Sequence, residues 1–520
     1  MFAKRVTRRQ MLRFAGFAAG TAALAACGAT PTAAPAATSA PEATAVPPTA
    51  TSAPPTPDTS GTAMAESKSA TEQAIAVEAR ATEDVFKLTA EEFTARMEED
   101  LKKAESEGKT VIEMMSAYGT IVDDNTQPMY WILRGFMEKN PDIYVKYTPS
   151  SAYAGAFNEA ILMRMASGDP PDCILHYSAP IAYAARGTCQ QLDDLMDAHP
   201  VGNKEAWPAS VLAQTQWNGK TWGVPVNGSQ DAMWYNLDAM EKAGLGTTRD
   251  AFPKTLDELQ EWTATVNKWD GNTMTEIGYT PWDDNWSWYG KMVANGGSLW
   301  DGEKYSINAE KNVELAEYWI AWIEKHFKGD IDALASQTDL NNPYPESGFG
   351  LGIQTICDAG VWSMTHVPLD IRWEIDVMPT GPSGSENATS NWPNLMFIPV
   401  GAKHLKEGFE LCVFTATEGQ VEWWNRWSDV PYWTKFPGDV APEDLIARVG
   451  QEKALELTKF TRDYANQIVV QWNSPIDDLA NDEIFRAVDG ALHKQIGVQE
   501  SLDACQELVT AKLQEVVAGA

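Results

Sequence analysis

Six side chains between Trp282 and Tyr289 combine flat aromatic rings with carboxylates: Trp282, Asp283, Asp284, Trp286, Trp288 and Tyr289. Such a set suits a ligand with an apolar C–H face and a rim of hydroxyls, since rings cover the face while carboxylates accept from the rim. The same box suits a quaternary amine or polyamine, held by cation–π attraction beside a carboxylate. The chain carries 21 tryptophans, so aromatic surface need not be confined to this window. Most tryptophans fill cores, and Trp319 and Trp322, in a helical run from Val313 to His326, are expected to do so. Catalysis lacks its motifs. The six histidines include no H-E-x-x-H, and neither a P-loop nor a G-x-S-x-G elbow occurs. A secreted glycoside hydrolase would use two carboxylates beside aromatic platforms, but none of the many acidic pairs sits in a motif. No catalytic residue, metal ligand or cofactor is expected.

The N-terminus states where such a site would work. Basic Lys4, Arg5, Arg8, Arg9 and Arg13 precede a short apolar run from Phe14 to Ala26, and Cys27 follows. That order is an export signal, and the run is shorter than the roughly 20 residues needed to span a bilayer. Leu24-Ala25-Ala26-Cys27 resembles a bacterial lipobox, whose cysteine is acylated, and Thr7 to Leu12 resembles a twin-arginine motif, with Met11 in place of the usual Phe. Residues 27–65, rich in Ala, Pro and Thr, supply too little apolar surface to fold and form an extended spacer. Residues 66–108 read as a helical lead-in, with Thr89 and Glu92 spaced as a capping box and Phe93, Met97 and Leu101 on one face. Removing the first 26 residues, which carry five lysines and arginines, takes the formal charge from −32 to −37. An acidic surface of this size excludes nucleic acid as a partner and favours neutral or cationic ligands. The other cysteines, Cys173, Cys189, Cys357, Cys412 and Cys505, contain no C-x-x-C. Export permits disulfides, so Cys173 with Cys189 is a candidate pair, and buried free thiols are the alternative.

After Lys109 strand-like and helix-like segments alternate, the pattern of an α/β protein. Thr110–Met115, Ile143–Tyr147 and Asp172–His176 read as strands. Pro128–Lys139, Tyr153–Ser167 and a stretch from Ala179 towards Gly187 read as helices. About 410 residues exceed one ordinary core and imply two lobes. Ligands of open α/β sheets sit beyond the carboxyl ends of the strands, where Ser116, Tyr118, His176 and Tyr177 fall; His176 suits packing equally well.

An ordered series of short matches then runs from Lys109 to Leu513. It includes Ala166-Ser167-Gly168 before Pro171-Asp172, Asn218-Gly219-Lys220-Thr221-Trp222-Gly223-Val224-Pro225, Trp234-Tyr235-Asn236, Asn295-Gly296-Gly297, Ala359-Gly360-Val361-Trp362 and Met378-Pro379. In these the chain resembles the extracellular solute-binding proteins of ATP-driven importers, in the large maltose-binding-protein-like sugar-binding group. The resemblance implies a two-lobed periplasmic-binding-protein-like fold of type II, with discontinuous lobes joined by a hinge: 109–226 with 394–430, and 227–393 with 431–520. It places Asp284 and Trp286 at the cleft and matches Trp362 to a tryptophan that stacks on sugar. Trp282 and Trp288 belong to the same window. Asn227 and Asp231, just past the first crossing, could reach the cleft or serve as turn residues; Tyr118 and Tyr177 would line the opposite lobe. Trp392 and Trp433 stand between core and cleft. The implied protein is a lipid-anchored monomer on the outer face of the cell membrane that delivers a neutral carbohydrate to a permease, without catalysing anything.

Overall fold

The computed structural model describes residues 88–119, 127–149, 154–177, 180–281, 288–329, 342–470 and 473–519. All lie in one compact unit, Lys68–Ala520; the export signal, Cys27 and the spacer fall outside the described residues. Helix α1, Ala90–Ser106, begins at the expected capping box: the Glu92 amide donates to Thr89 Oγ1 at 3.2 Å while the Thr89 amide donates to the Glu92 carboxylate at 2.8 Å. Strands β1 (Thr110–Ser116), β2 (Ile143–Pro149) and β3 (Cys173–His176) are parallel, with β1 in the middle. Parallel neighbours need crossovers, supplied by α2 (Gln127–Lys139) and α3 (Ala154–Ala166). The helix expected from Ala179 to Gly187 shortens to one turn, Ile181–Ala184; Gly187, at φ +67°, takes the left-handed conformation that ends it.

Two long strands carry the chain between the lobes. Strand β4, Val224–Asn236, is buried at every one of its 13 residues. Its first half pairs with β7 (Thr389–Phe397), which pairs in turn with β3. Its second half pairs instead with β5 (Ile356–Gly360) and β6 (Trp373–Asp376). Alternation along the strand serves several cores: Val224 and Val226 enter the core of lobe one, Met233 and Tyr235 one core of lobe two, and Ala232 and Trp234 the other. The expected crossings at Pro225 to Val226 and at Asn394 lie within β4 and β7, and β7 has an irregularity between Asn394 and Leu395. In lobe two α4 (Leu256–Val266), α5 (Trp288–Ala294) and α6 (Glu310–His326) cover the sheet, and Trp319 and Trp322 are buried in the core as expected. Lobe one is completed by α7 (Leu405–Ala416) and α8 (Gln420–Trp427). Helices α9 (Gln451–Ile468), α10 (Asp477–Leu492) and α11 (Val498–Gly519) end the chain against lobe two.

Cys173 and Cys189 do not form a pair. They belong to different core clusters of lobe one, and none of the five described cysteines, all buried, forms a disulfide. Cys173 instead meets Cys412 of α7, and that contact together with burial raises its thiol pKa. No described helix is long and apolar enough to cross a membrane.

Candidate functional site

Where β4 and β7 run side by side, their register sets Trp392 opposite Ser229 and Asn394 opposite Asn227. With a period of two, Asn227, Ser229 and Asp231 share one face with Trp392 and Asn394. Their polar groups satisfy one another in a ladder. Gln420 of α8 donates to the Thr415 carbonyl at 2.7 Å and accepts from Asn227 at 3.0 Å; Asn227 accepts from Asn394 at 2.7 Å. Asn394 accepts from the Tyr118 hydroxyl at 2.5 Å, and its amide also reaches Asp429 at 3.4 Å, where the Trp423 indole donates at 2.8 Å. Further along, Asp231 Oδ2 accepts the Trp392 indole N–H at 3.0 Å, and Ser229 Oγ accepts the Trp362 backbone N–H at 3.1 Å.

Above this face lies an arc of half-buried rings from both lobes. Tyr177 and Tyr118, at the ends of β3 and β1, stand 6.2 Å apart between centroids; Trp427 is 5.4 Å from Tyr118 and 6.2 Å from His366. His366 lies 5.6 Å from Tyr344, whose hydroxyl accepts the Trp362 indole N–H at 3.2 Å. Gly360 makes the placement of Trp362 possible: a Cβ there would come within 1.8 Å of the indole ring.

Burial governs the charges. It pushes the Asp231 carboxyl up to about 7, against the pull of the Trp392 N–H, with Asp358 raising it further and Lys291 lowering it. Asp429 is likewise pushed up to about 7 by burial, opposed by hydrogen bonds from Trp423 and Ser229. His176 is pushed down to about 3 by burial and stays neutral, its ring stacked 5.2 Å from Phe157. Beneath the face, Lys291 and Asp358 form a buried pair at 3.1 Å, and the Tyr279 hydroxyl donates to Asp358 at 3.0 Å. No cluster of metal-ligating side chains occurs among the described residues.

Of the residues singled out in the sequence, the structure brings together Tyr118, Tyr177, Asp231, Trp362 and Trp392. Asn227 is fully buried, with both ends of its amide engaged in the ladder. Trp433 is half-buried and packs against the core of lobe one. Trp282, Asp284 and Trp286 lie outside the described residues, and Trp288 is described only as the first residue of α5. Sequence reasoning missed Tyr344, His366, Trp427 and Asn394. The i, i+4 spacing of Trp423 and Trp427 on α8 was a usable signal for one of them.

The lobes also touch away from the hinge face. Asn158 of α3 donates to Asp478 of α10 at 2.7 Å and accepts from Tyr183 at 2.8 Å, and Asn473 donates to the Ala213 carbonyl at 3.0 Å. An interlobe hydrogen bond to a carboxylate favours the closed arrangement by about 1.5–3 kcal/mol. Asp478→Ala is therefore expected to weaken ligand affinity roughly tenfold by depopulating the closed form, and to enlarge the unliganded radius of gyration in small-angle scattering. Unchanged values of both would show that the contact does not bias closure.

Two α/β lobes are joined by paired crossing strands, and aromatic rings converge on those strands from both sides. Residues 105–422 match the family of bacterial extracellular solute-binding proteins, and the chain belongs to that family. Solved structures share its fold. The protein designated CpMnBP1 with mannotriose bound is 17% identical, at a TM-score of 0.65 over 77% of this chain and 99% of that one. The ABC substrate-binding protein Lmo0181 from Listeria monocytogenes, in complex with cycloalternan, is 15% identical at a TM-score of 0.63 over 79% and 99%. Maltose-bound MalE3 of T. maritima is 16% identical at 0.60 over 77% and 99%. Among curated proteins none matches.

Proposed function

We propose that this chain captures a neutral carbohydrate between its lobes and hands it to the membrane permease of an ABC importer. The observation that carries this reading is the arc of half-buried rings from Tyr177 to Trp362, in which the Tyr118 hydroxyl is engaged by Asn394 and the Trp362 indole N–H by Tyr344. Rings held at their edges keep their faces for C–H groups. Trp392 adds a face at the hinge, and Trp282, Asp284, Trp286 and Trp288 join the site on the strength of the sequence resemblance. CpMnBP1 with mannotriose bound, Lmo0181 in complex with cycloalternan and maltose-bound MalE3, proteins of the same fold, support the ligand class. The lobes are 109–226 with 394–430 and 227–393 with 431–520. Export and acylation at Cys27 would hold the monomer near its permease on the outer face of the membrane, with the spacer leaving the hinge free. The chain binds without cleaving.

Thermal-shift screening of the mature protein against mannotriose, maltotriose, monosaccharides, polyamines and betaines tests the reading. A ligand that binds only the native state stabilises it by about 2.7 kcal/mol at a hundredfold excess over Kd, so an oligosaccharide or monosaccharide should raise Tm by several degrees. Stabilisation by amines and by no sugar would overturn the proposal. Product analysis after incubation should return the sugar intact.

A further inference from the structure

Asp231 is fully buried on the hinge face, yet only half of its carboxylate is used. Oδ2 accepts the Trp392 indole N–H, whereas Oδ1 has no hydrogen-bond donor among the described residues. The neighbouring polar groups differ: Asn227 and Asn394 are matched at both ends, and Asp429 is met by Trp423, Asn394 and Ser229. An unmatched carboxylate oxygen in a buried site is a standing cost to the fold. Lys291, the nearby cation that favours the charged form, is already paired with Asp358 at 3.1 Å, and an asparagine of the same shape would still accept from Trp392 while leaving a neutral amide group, less costly to bury than a charge, at the Oδ1 position. A costly group kept where a neutral isostere would fit is explained by something that arrives and completes it.

The position fits such an arrival. Trp392 is half-exposed, its indole edge is fixed by Asp231, and it sits opposite Ser229, which holds the backbone of Trp362. A sugar ring stacked on an indole carries its hydroxyls at its rim, and a hydroxyl donating to a carboxylate is a strong, charge-assisted bond. We infer that Asp231 is a ligand-anchoring residue whose Oδ1 accepts a hydroxyl of a carbohydrate stacked beside Trp392 as the lobes close. This rests on the carbohydrate reading above. Because Asp231 is enclosed and lies on the crossing strand, the ligand reaches it only while the lobes are parted.

The test compares Asp231→Asn with the wild-type protein, using mannotriose or maltotriose, whichever stabilises the wild type more. Calorimetric titration should show affinity lowered about 10- to 100-fold, the span of a hydrogen bond to a charged acceptor, while the unliganded Tm stays equal or rises. A residue that merely supports the structure would lose affinity and Tm together, and that result, or an unchanged affinity, overturns the inference. Should the variant fail to fold, the wild-type pH profile decides. The groups facing Asp231 are Trp392 on β7, Asp358 on β5, Lys291 on α5 and Tyr464 on α9. With burial holding the carboxyl near 7, affinity should weaken as pH falls below that value, and a flat profile counts against the anchor. If neither sugar shifts the wild-type Tm, the carbohydrate reading itself fails and this inference goes with it; if sugar binds the variant as well as the wild type, only the inference fails.

Discussion

Replacing Asn394 with leucine is expected to lower the stability of the whole protein by roughly 2–6 kcal/mol, at about 1–3 kcal/mol for each of two buried groups left without a partner. The two groups are the Asn227 carbonyl, which loses its 2.7 Å donor, and the Tyr118 hydroxyl, which loses its acceptor. Asp429 keeps its hydrogen bonds from the Trp423 indole and from Ser229. Leucine conserves volume, so cavity formation contributes little and the loss isolates the polar ladder. Urea unfolding measures the change. Tyr118→Phe removes only the outer rung and should cost less, and the double mutant should fall well short of the sum, since both changes break the same bond. A drop of under about 1 kcal/mol for Asn394→Leu would mean that water replaces the ladder without penalty. The ladder also ties function to stability: it reaches from α8 through both crossing strands to a ring of the proposed site, so loosening it should release Tyr118 as well.

The parts of the molecule legible in sequence are those where one local pattern maps onto one element. The capping box at Thr89 and the first strands and helices through His176 follow from periodicity and from the proline turn at Asp169 to Asp172, and the structure places them within a few residues. The short turn at Ile181 was overestimated because apolar residues continue past it without a helix to hold them. Strand β4 hides for the opposite reason. Buried on both faces, it has no solvent-exposed side to mark it, and the residues of its polar face, Asn227 and Asp231 among them, read equally well as turn or cap residues. Only the partner strand β7 shows that Asn394 answers Asn227 and Trp392 answers Asp231. The site divides in the same way. Trp362 is singled out by the family resemblance of Ala359-Gly360-Val361-Trp362, and the structure adds that Gly360 lets the indole fold back over the chain. Tyr344, His366 and Trp427 come from three separate segments and meet only in space, which no local period records. Cysteine spacing was equally silent, since Cys173 meets Cys412, distant in sequence, across the core of lobe one.

Removing the indole of Trp362 should have the largest effect on binding. A half-buried aromatic ring in a ligand-contact surface is a typical hot spot, worth about 2–4 kcal/mol on truncation, so Trp362→Ala is expected to weaken sugar affinity by roughly 30- to 1,000-fold. Stability should change much less, because the backbone amide still donates to Ser229 and the ring is not part of a sealed core. Truncation alone cannot separate the presence of the ring from its position. Gly360→Ala can. A methyl at Gly360 would lie within 1.8 Å of the indole, so the ring must swing away and break its 3.2 Å bond to Tyr344, although every aromatic atom is still there. If stacking geometry governs capture, the glycine variant should lose affinity nearly as severely as Trp362→Ala, and Tyr344→Phe, which removes only the acceptor that holds the indole edge, should lose less. Titration calorimetry on the three variants, with Tm measured in parallel, reads the series. Full affinity in Gly360→Ala would show that the ring serves the fold and not the ligand, and would move the centre of the site towards Trp392 and the hinge.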